Sequence, residues 1–242
     1  MAWDRHARHV TTTIANKTKV RTWDLPTRAF HWLLVGSFIT SWVTAEAGFD
    51  WTQWHFYSGY LTLTLLLFRI LWGFAGTPFA RFRHFVKGPR ATFAYLPKLV
   101  SAEKPTAAGH SPIGGWSVLV LLLLMAIQAV TGLFIGDDIF WFGPYNPAVS
   151  GDTAGTLAQI HHLNFTALQV FVGLHLVAIA WYFLRKRENL ILPMLTGWAE
   201  RDDEGVAPWG NYLFKAAIIA ALCAMAIYGL IYFAPEPEIM GF

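Results

Sequence analysis

The chain has 242 residues, of which 55% are hydrophobic and only 14% charged, with 12 tryptophans, and its mean hydropathy is +0.41. That composition is too apolar for an ordinary soluble domain of this length and indicates an integral membrane protein. The formal charge of +3 could suggest a polyanion, but the cations are segregated in a way that reports membrane topology and argues against a nucleic-acid partner.

The single cysteine, Cys223, lies in an apolar run. An internal disulfide and a CxxCH attachment motif are therefore both excluded, so any haem would be held non-covalently. The opening MAWDRHARHVTTTIANKTKVRTWD has no apolar core followed by a small-residue cleavage site. The expectation is no cleaved signal peptide, with the first membrane helix directing insertion.

Five apolar runs are long enough to span a bilayer: Pro26 to Ala45, Trp54 to Ala75, Gly114 to Ile135, Ile160 to Leu184 and Tyr212 to Ala234. None alternates as barrel strands do, so five helices are predicted. Arg5, Arg8, Lys17, Lys19, Arg21 and Arg28 precede or open the first; Arg81, Arg83, Lys87, Arg90, Lys98 and Lys104 fill the loop between the second and third; Arg185, Lys186 and Arg187 end the fourth. The other loops and the C-terminal tail carry Glu46, Asp50, Asp137, Asp138, Asp152, Glu236 and Glu238 with no Lys or Arg. The positive-inside rule then places the N-terminus in the cytoplasm and the C-terminus outside.

The first helix opens at Asp24-Leu25-Pro26-Thr27, with an Asp cap and Pro in the first turn. His31 follows near the cytoplasmic end. The second starts outside, with His55 near the outer surface and Arg69 fourteen residues further in. Gly76 to Ser111, with its prolines and cations, reads as part amphipathic and lipid-facing, part irregular. The third helix has one interior polar residue, Gln128, and no histidine. Gly136 to Gln159 reads as a long outer loop able to form a docking surface. The fifth helix carries no ligand candidate apart from Cys223 and reads as a peripheral appendage.

The fourth run carries the chemistry. His161 and His175 are fourteen residues apart; at about 100° and 1.5 Å per residue they share a helix face, roughly 21 Å apart along the axis. His162 lies off that face and is the lesser alternative to His161. By depth, His31 and His175 form an inner pair, and His55 and His161 an outer one. Two neutral imidazoles facing each other in a helical bundle are what a six-coordinate haem needs, and two levels imply two haems. With no open position on the iron, the expected role is electron transfer.

Gly59 and Gly173 could let a flat porphyrin approach the backbone, or could serve only close helix packing. Arg69, with Arg28 as a second candidate, could pair with a haem propionate; alternatively Arg69 snorkels to the inner surface. His6, His9, His84 and His110 fall in polar cytoplasmic segments, where solvated histidine is the default; His84 or His110 at a quinone site is the alternative.

WDLPTRAFHW at 23 to 32, WHFYSGY at 54 to 60, LLLFRILWG at 65 to 73, FVKGPRATFAYL at 85 to 96, GHSPIGG at 109 to 115, HHLNFTALQVFVGLH and the following RKRENLI resemble the bacterial cytochrome b561 and nickel-iron hydrogenase b-type cytochrome family. The resemblance covers about residues 23 to 197. It implies four core helices with two b haems, ligated by His31 with His175 and by His55 with His161. It also implies electron exchange between membrane quinone and a periplasmic partner such as hydrogenase or a c-type cytochrome, or stand-alone quinol oxidation, with a quinone site beside the inner haem. The fifth helix and the long acidic outer loop depart from that pattern.

The resulting expectation is an all-α inner-membrane protein. It has an N-terminal tail over 1–22, a dihaem domain over 23–197, and a linker with a fifth transmembrane helix over 198–242. Two rivals remain open: a transporter or metal channel using the four histidines, and a membrane anchor whose haems are structural.

Overall fold

The computed structural model describes residues 18–101, 109–136, 140–201 and 211–235. The expectations resting on His6, His9, Asp137, Asp138, Glu236 and Glu238 lie outside them. In chain order the elements are β1 (Thr18–Arg21), α1 (Leu25–Glu46), α2 (Thr52–Ala75), α3 (Phe82–Phe85), α4 (Pro89–Val100), α5 (Pro112–Thr131), α6 (Gly151–Arg185), α7 (Ile191–Thr196), β2 (Trp198–Arg201) and α8 (Tyr212–Tyr232), with short 3-10 turns between some of them.

The long helices start where polar caps say they should. Asp24 accepts from the Thr27 amide at 2.6 Å at the head of α1, Ser111 from Gly114 at 3.2 Å at the head of α5, and Ser150 from Thr153 at 3.3 Å at the head of α6. Helices occupy all five predicted runs. Four of them, Phe49–Ala75, Pro112–Thr131, Gly151–Arg185 and Tyr212–Tyr232, are long and apolar enough to cross a membrane. The 22-residue α1 is long enough but not apolar enough to join them. Arg28, His31 and Glu46 lie within it, and a line of hydroxyls runs along its α2-facing side. Ser37 Oγ lies 2.6 Å from Thr62 Oγ1 and donates to Ser58 O at 2.7 Å, and Ser41 Oγ lies 2.6 Å from Ser58 Oγ. These groups lower the hydropathy of α1 yet are satisfied between the two helices.

α2 is the central helix, packed along α1, α5 and α8. Half of its most apolar stretch is buried, against 11% for α5, α6 and α8, whose outer faces are left to an apolar surrounding. One core cluster joins Phe30 of α1, Leu65, Phe68 and Trp72 of α2, and Ala216 and Cys223 of α8. The expectation of a peripheral fifth helix is thereby corrected: α8 buries small residues against the central helix, and Lys215 Nζ donates to the Ala75 carbonyl at 2.7 Å. A second cluster, Leu66, Met125 and Leu168, ties α2, α5 and α6. α6 packs chiefly on α5 and makes no comparable contact with α1 or α2.

Two further differences from the sequence reading have simple causes. α6 begins at Gly151, inside the expected outer loop, because the Ser150 cap starts a polar helical extension before the apolar run. In the loop before it Gly136 bridges to Phe142, and a Cβ at Gly143 would overlap the Leu133 carbonyl. The antiparallel pair of β1 with β2, Thr18 opposite Arg201, was not anticipated. With Gly197, whose φ is +89°, accepting from the Thr22 and Trp23 amides at 2.9 and 3.2 Å, it fastens the entry of α1 to the exit of α7. The amphipathic segment expected after α2 is present as α4. It is held to the end of α6 by Tyr95 Oη to Tyr182 Oη at 3.1 Å, Trp181 Nε1 to Leu99 O at 3.1 Å and Lys186 Nζ to Lys98 O at 2.7 Å.

Candidate functional site

Arg28, Arg81, Lys87, Arg185 and Lys215 surround one end of the bundle, and Glu46, Asp50 and Asp152 the other. The histidines sort between these ends as their spacing predicts.

At the acidic end, His55 of α2 and His161 of α6 face each other with ring centres 6.3 Å apart and planes at 66°. Each ring is oriented through Nδ1. His55 Nδ1 lies 2.8 Å from the Ser41 carbonyl, which can only accept, so this nitrogen carries the proton. His161 Nδ1 lies 3.1 Å from Thr131 Oγ1, whose own proton is directed to the Ile127 carbonyl at 2.7 Å, so here too the imidazole donates. Both Nε2 atoms are thereby left as bare lone pairs. Two imidazoles holding one metal through bonds of about 2 Å from opposite sides have ring centres roughly 6 Å apart, as these do. A cavity of about 480 Å³, lined by Phe38, Trp42, Gln128, Trp141 and Phe165 as well as the two histidines, opens beside them; cofactor sites typically measure about 300–1,000 Å³.

Gly59 also lines this cavity, and a Cβ on it would meet nothing within 4 Å. Helix packing therefore does not require a glycine there, nor at Gly173, which is equally free. His162 borders the cavity but is exposed, its ring 6.0 Å from that of His161. His161, 9% exposed, is the residue turned towards His55.

At the basic end, His31 of α1 and His175 of α6 lie within electrostatic reach of one another. Thr27 Oγ1, Arg28 Nε and His31 Nδ1, all within one turn of α1, are buried without a hydrogen-bond partner. Arg28 uses Nη1 on the Leu195 carbonyl, and Trp32 Nε1 donates to Met194 O at 3.2 Å, so α7 closes this end. Arg69 does not snorkel. It is 3% exposed, donates Nη1 to Ala80 O at 3.1 Å and lies against the rings of Phe82 and Phe85 at 4.8 and 5.7 Å. Asp24, 1% exposed, balances it at a distance while accepting from the Thr27 amide, Trp72 Nε1 and Thr77 Oγ1.

Of the loop histidines, His84 is exposed beside Phe79, as a solvated residue would be. His110 departs from the solvated default: its ring is set between Trp23 at 4.7 Å and Phe85 at 4.6 Å. Burial, then Arg69, His175 and His31, push its pKa down to about 3, so it is neutral. Sequence reasoning missed Ser41, Thr131 and Asp24 as supporting groups. Matching depths, the rule that paired the histidines, would have found Thr131 level with His161.

Among the described residues no three His, Cys, Asp or Glu side chains could hold a metal ion by themselves.

The chain is 24% identical to a protein of Azotobacter chroococcum mcd 1 named "Probable Ni/Fe-hydrogenase B-type cytochrome subunit", with 79% of this chain and 92% of the relative covered. It is 24% identical to a protein of the same name from Rhizobium leguminosarum bv. viciae, covering 75% and 89%. No solved structure matches it. Residues 22–197, from just after β1 to the end of α7, match the family of prokaryotic cytochrome b561, and the chain belongs to that family of b-type cytochromes.

Proposed function

We propose that the protein binds two haems b, one between His55 and His161 and one between His31 and His175, and passes electrons between membrane quinone and a periplasmic redox protein. The observation that carries this reading is the acidic-end pair: two imidazoles with ring centres 6.3 Å apart, each engaged through Nδ1 and so left with a bare Nε2. Ligating histidines commonly donate the other ring nitrogen to a carbonyl or hydroxyl in this way, which fixes the tautomer and raises ligand basicity. The apolar cavity, the bare face of Gly59, and the gap that holds α6 off α1 and α2 suit a flat macrocycle. The haem supplies the one-electron chemistry; the helices fix where it sits and exclude water from it.

In this arrangement α1 spans the membrane together with the four more apolar helices, its hydroxyls covered by α2. The basic end is cytoplasmic and the acidic end periplasmic, following the segregated charges of the loops. Residues 23–197 form the cytochrome domain, with 1–22 and 198–242 flanking it. Arg69 and the free Nε of Arg28 serve the propionates of the inner haem. The names carried by its relatives make a hydrogenase the leading partner; stand-alone quinol oxidation is the variant without it.

The test is haem extraction and optical redox titration of the purified protein. Two haems b per chain, reducible by quinol in membranes, are expected, and His175→Ala should remove one of them. A colourless protein, or full pigment in that variant, would overturn the proposal and favour a histidine-based transporter; haems that quinol does not reduce would favour a structural anchor.

A further inference from the structure

His110 has no assigned role, yet its setting is built. Gly109, at φ +90°, turns the chain immediately before it, and Ser111 caps α5 immediately after it. Trp23 and Phe85, both buried, hold the ring, and its Nδ1 is sealed from solvent without a partner. The same Phe85 ring carries Arg69 on it, 5.7 Å from the guanidinium carbon. Two donors thus share one aromatic support at the level of His31 and His175, with which His110 interacts electrostatically.

The only hydrogen bond Arg69 makes among the described residues is to a neutral carbonyl, that of Ala80. Asp24, the carboxylate within its electrostatic reach, already accepts three hydrogen bonds from other groups. A buried guanidinium with a neutral N–H donor beside it, neither matched by an acceptor of opposite charge in direct contact, is a site for an anion. A carboxylate suits it: Arg supplies the charge, and the uncharged imidazole adds a directed hydrogen bond.

We propose that His110 donates through Nδ1 to a carboxylate of the cofactor held between His31 and His175, with Arg69 as the cation beside it. This rests on the two-haem reading above. Withdrawing a donor leaves more negative charge facing the iron and stabilises its oxidised form.

The experiment uses the purified full-length holoprotein and its His110→Phe and His110→Gln variants, with both haems titrated optically and the carboxylate bands followed by reduced-minus-oxidised infrared difference spectra. His110→Phe should lower one midpoint potential about tenfold in equilibrium constant, about 59 mV for one electron, and leave the other unmoved. His110→Gln keeps an N–H donor and should recover most of that shift, and a carboxylate band should move in the Phe variant alone. Should His110→Phe not accumulate, His110→Ala takes its place, and a carboxylate band and midpoint potentials identical to wild type in that variant would overturn the proposal. Unchanged potentials in His110→Phe overturn it as well, as does an altered rate of quinol-driven reduction at constant potentials, which would place a quinone carbonyl on His110. If the wild-type protein carries no haem, the two-haem reading fails instead.

Discussion

The two histidine levels of this bundle are built differently. At the acidic end both rings have their Nδ1 atoms tied, one to a backbone carbonyl of α1 and one to a hydroxyl of α5. At the basic end His31 Nδ1, Arg28 Nε, Thr27 Oγ1 and His110 Nδ1 are all buried and untied. The first level lies deep among helices, where neighbouring turns supply acceptors. The second lies where α1, α3, α7 and the α5 cap converge, and these buried atoms have no hydrogen-bond partner among the described residues. On the two-haem proposal, the acidic-end pair is oriented by the protein's own groups, whereas the basic-end pair would be completed by the cofactor bound there.

That contrast is broken most directly by deleting ligands. His161→Ala or His55→Ala should remove one haem and spare the other, and His31→Ala should remove the opposite one, all read as haem per chain with the surviving potential recorded. A variant that loses both haems would show that the levels depend on each other for folding and are not independent sites.

The next largest effect is at the boundary between them. Leu168 lies seven residues from each α6 histidine, is 0% exposed, and packs on Leu66 and Met125. Leu168→Ala should cost about 2–5 kcal/mol, as buried leucine truncations do, measured by denaturant titration in detergent. Haem content at both levels should survive under native conditions. Loss of haem at one level alone would mean that Leu168 belongs to that site.

Much of this plan could be read from the sequence, because hydrophobic length, charge segregation and a fourteen-residue histidine spacing are one-dimensional signals. The cap at Asp24, the helices and the facing of His55 and His161 follow from them. Other features were hidden for physical reasons. The partner of His55 is the Ser41 carbonyl, a backbone group that every residue carries, so nothing in the sequence marks it. The burial of Arg69 depends on Phe82 and Phe85 folding back from a loop, which hydropathy reads as surface. α8 looks like an appendage until Ala216 and Cys223 are seen to fit against Trp72 and Phe68, a matter of shape and not of polarity.

Thr131→Val sharpens the contrast on one side only. It keeps the shape of the side chain and removes the acceptor for His161 Nδ1. Loss of a supporting partner of this kind typically weakens metal retention about 10–100-fold. Haem should dissociate faster from the acidic-end level during dilution or competition with apomyoglobin, with the basic-end level unaffected. Equal loss from both, or from neither, would mean that the Thr131 contact does not orient the ring.

The smallest expected effect is at Tyr95, which clasps α4 to α6 seven residues beyond His175. Its phenol is pushed up from the usual range by burial and then by the hydrogen bond with Tyr182, so it remains a neutral donor or acceptor throughout the working pH range. Tyr95→Phe removes the hydrogen bonds of the phenol to Tyr182 and Ser111, each worth about 0.5–1.5 kcal/mol, while Trp181 to Leu99 and Lys186 to Lys98 continue to hold the helix. A fall in thermal stability of that order is expected, with both haem potentials unchanged, because the phenol joins α4 to the end of α6 and the cap of α5 and not to either histidine pair. A shift in the potential of the His31–His175 level alone would show instead that α4 reaches the cofactor, and would enlarge the set of groups that complete the basic-end site beyond Arg69 and His110.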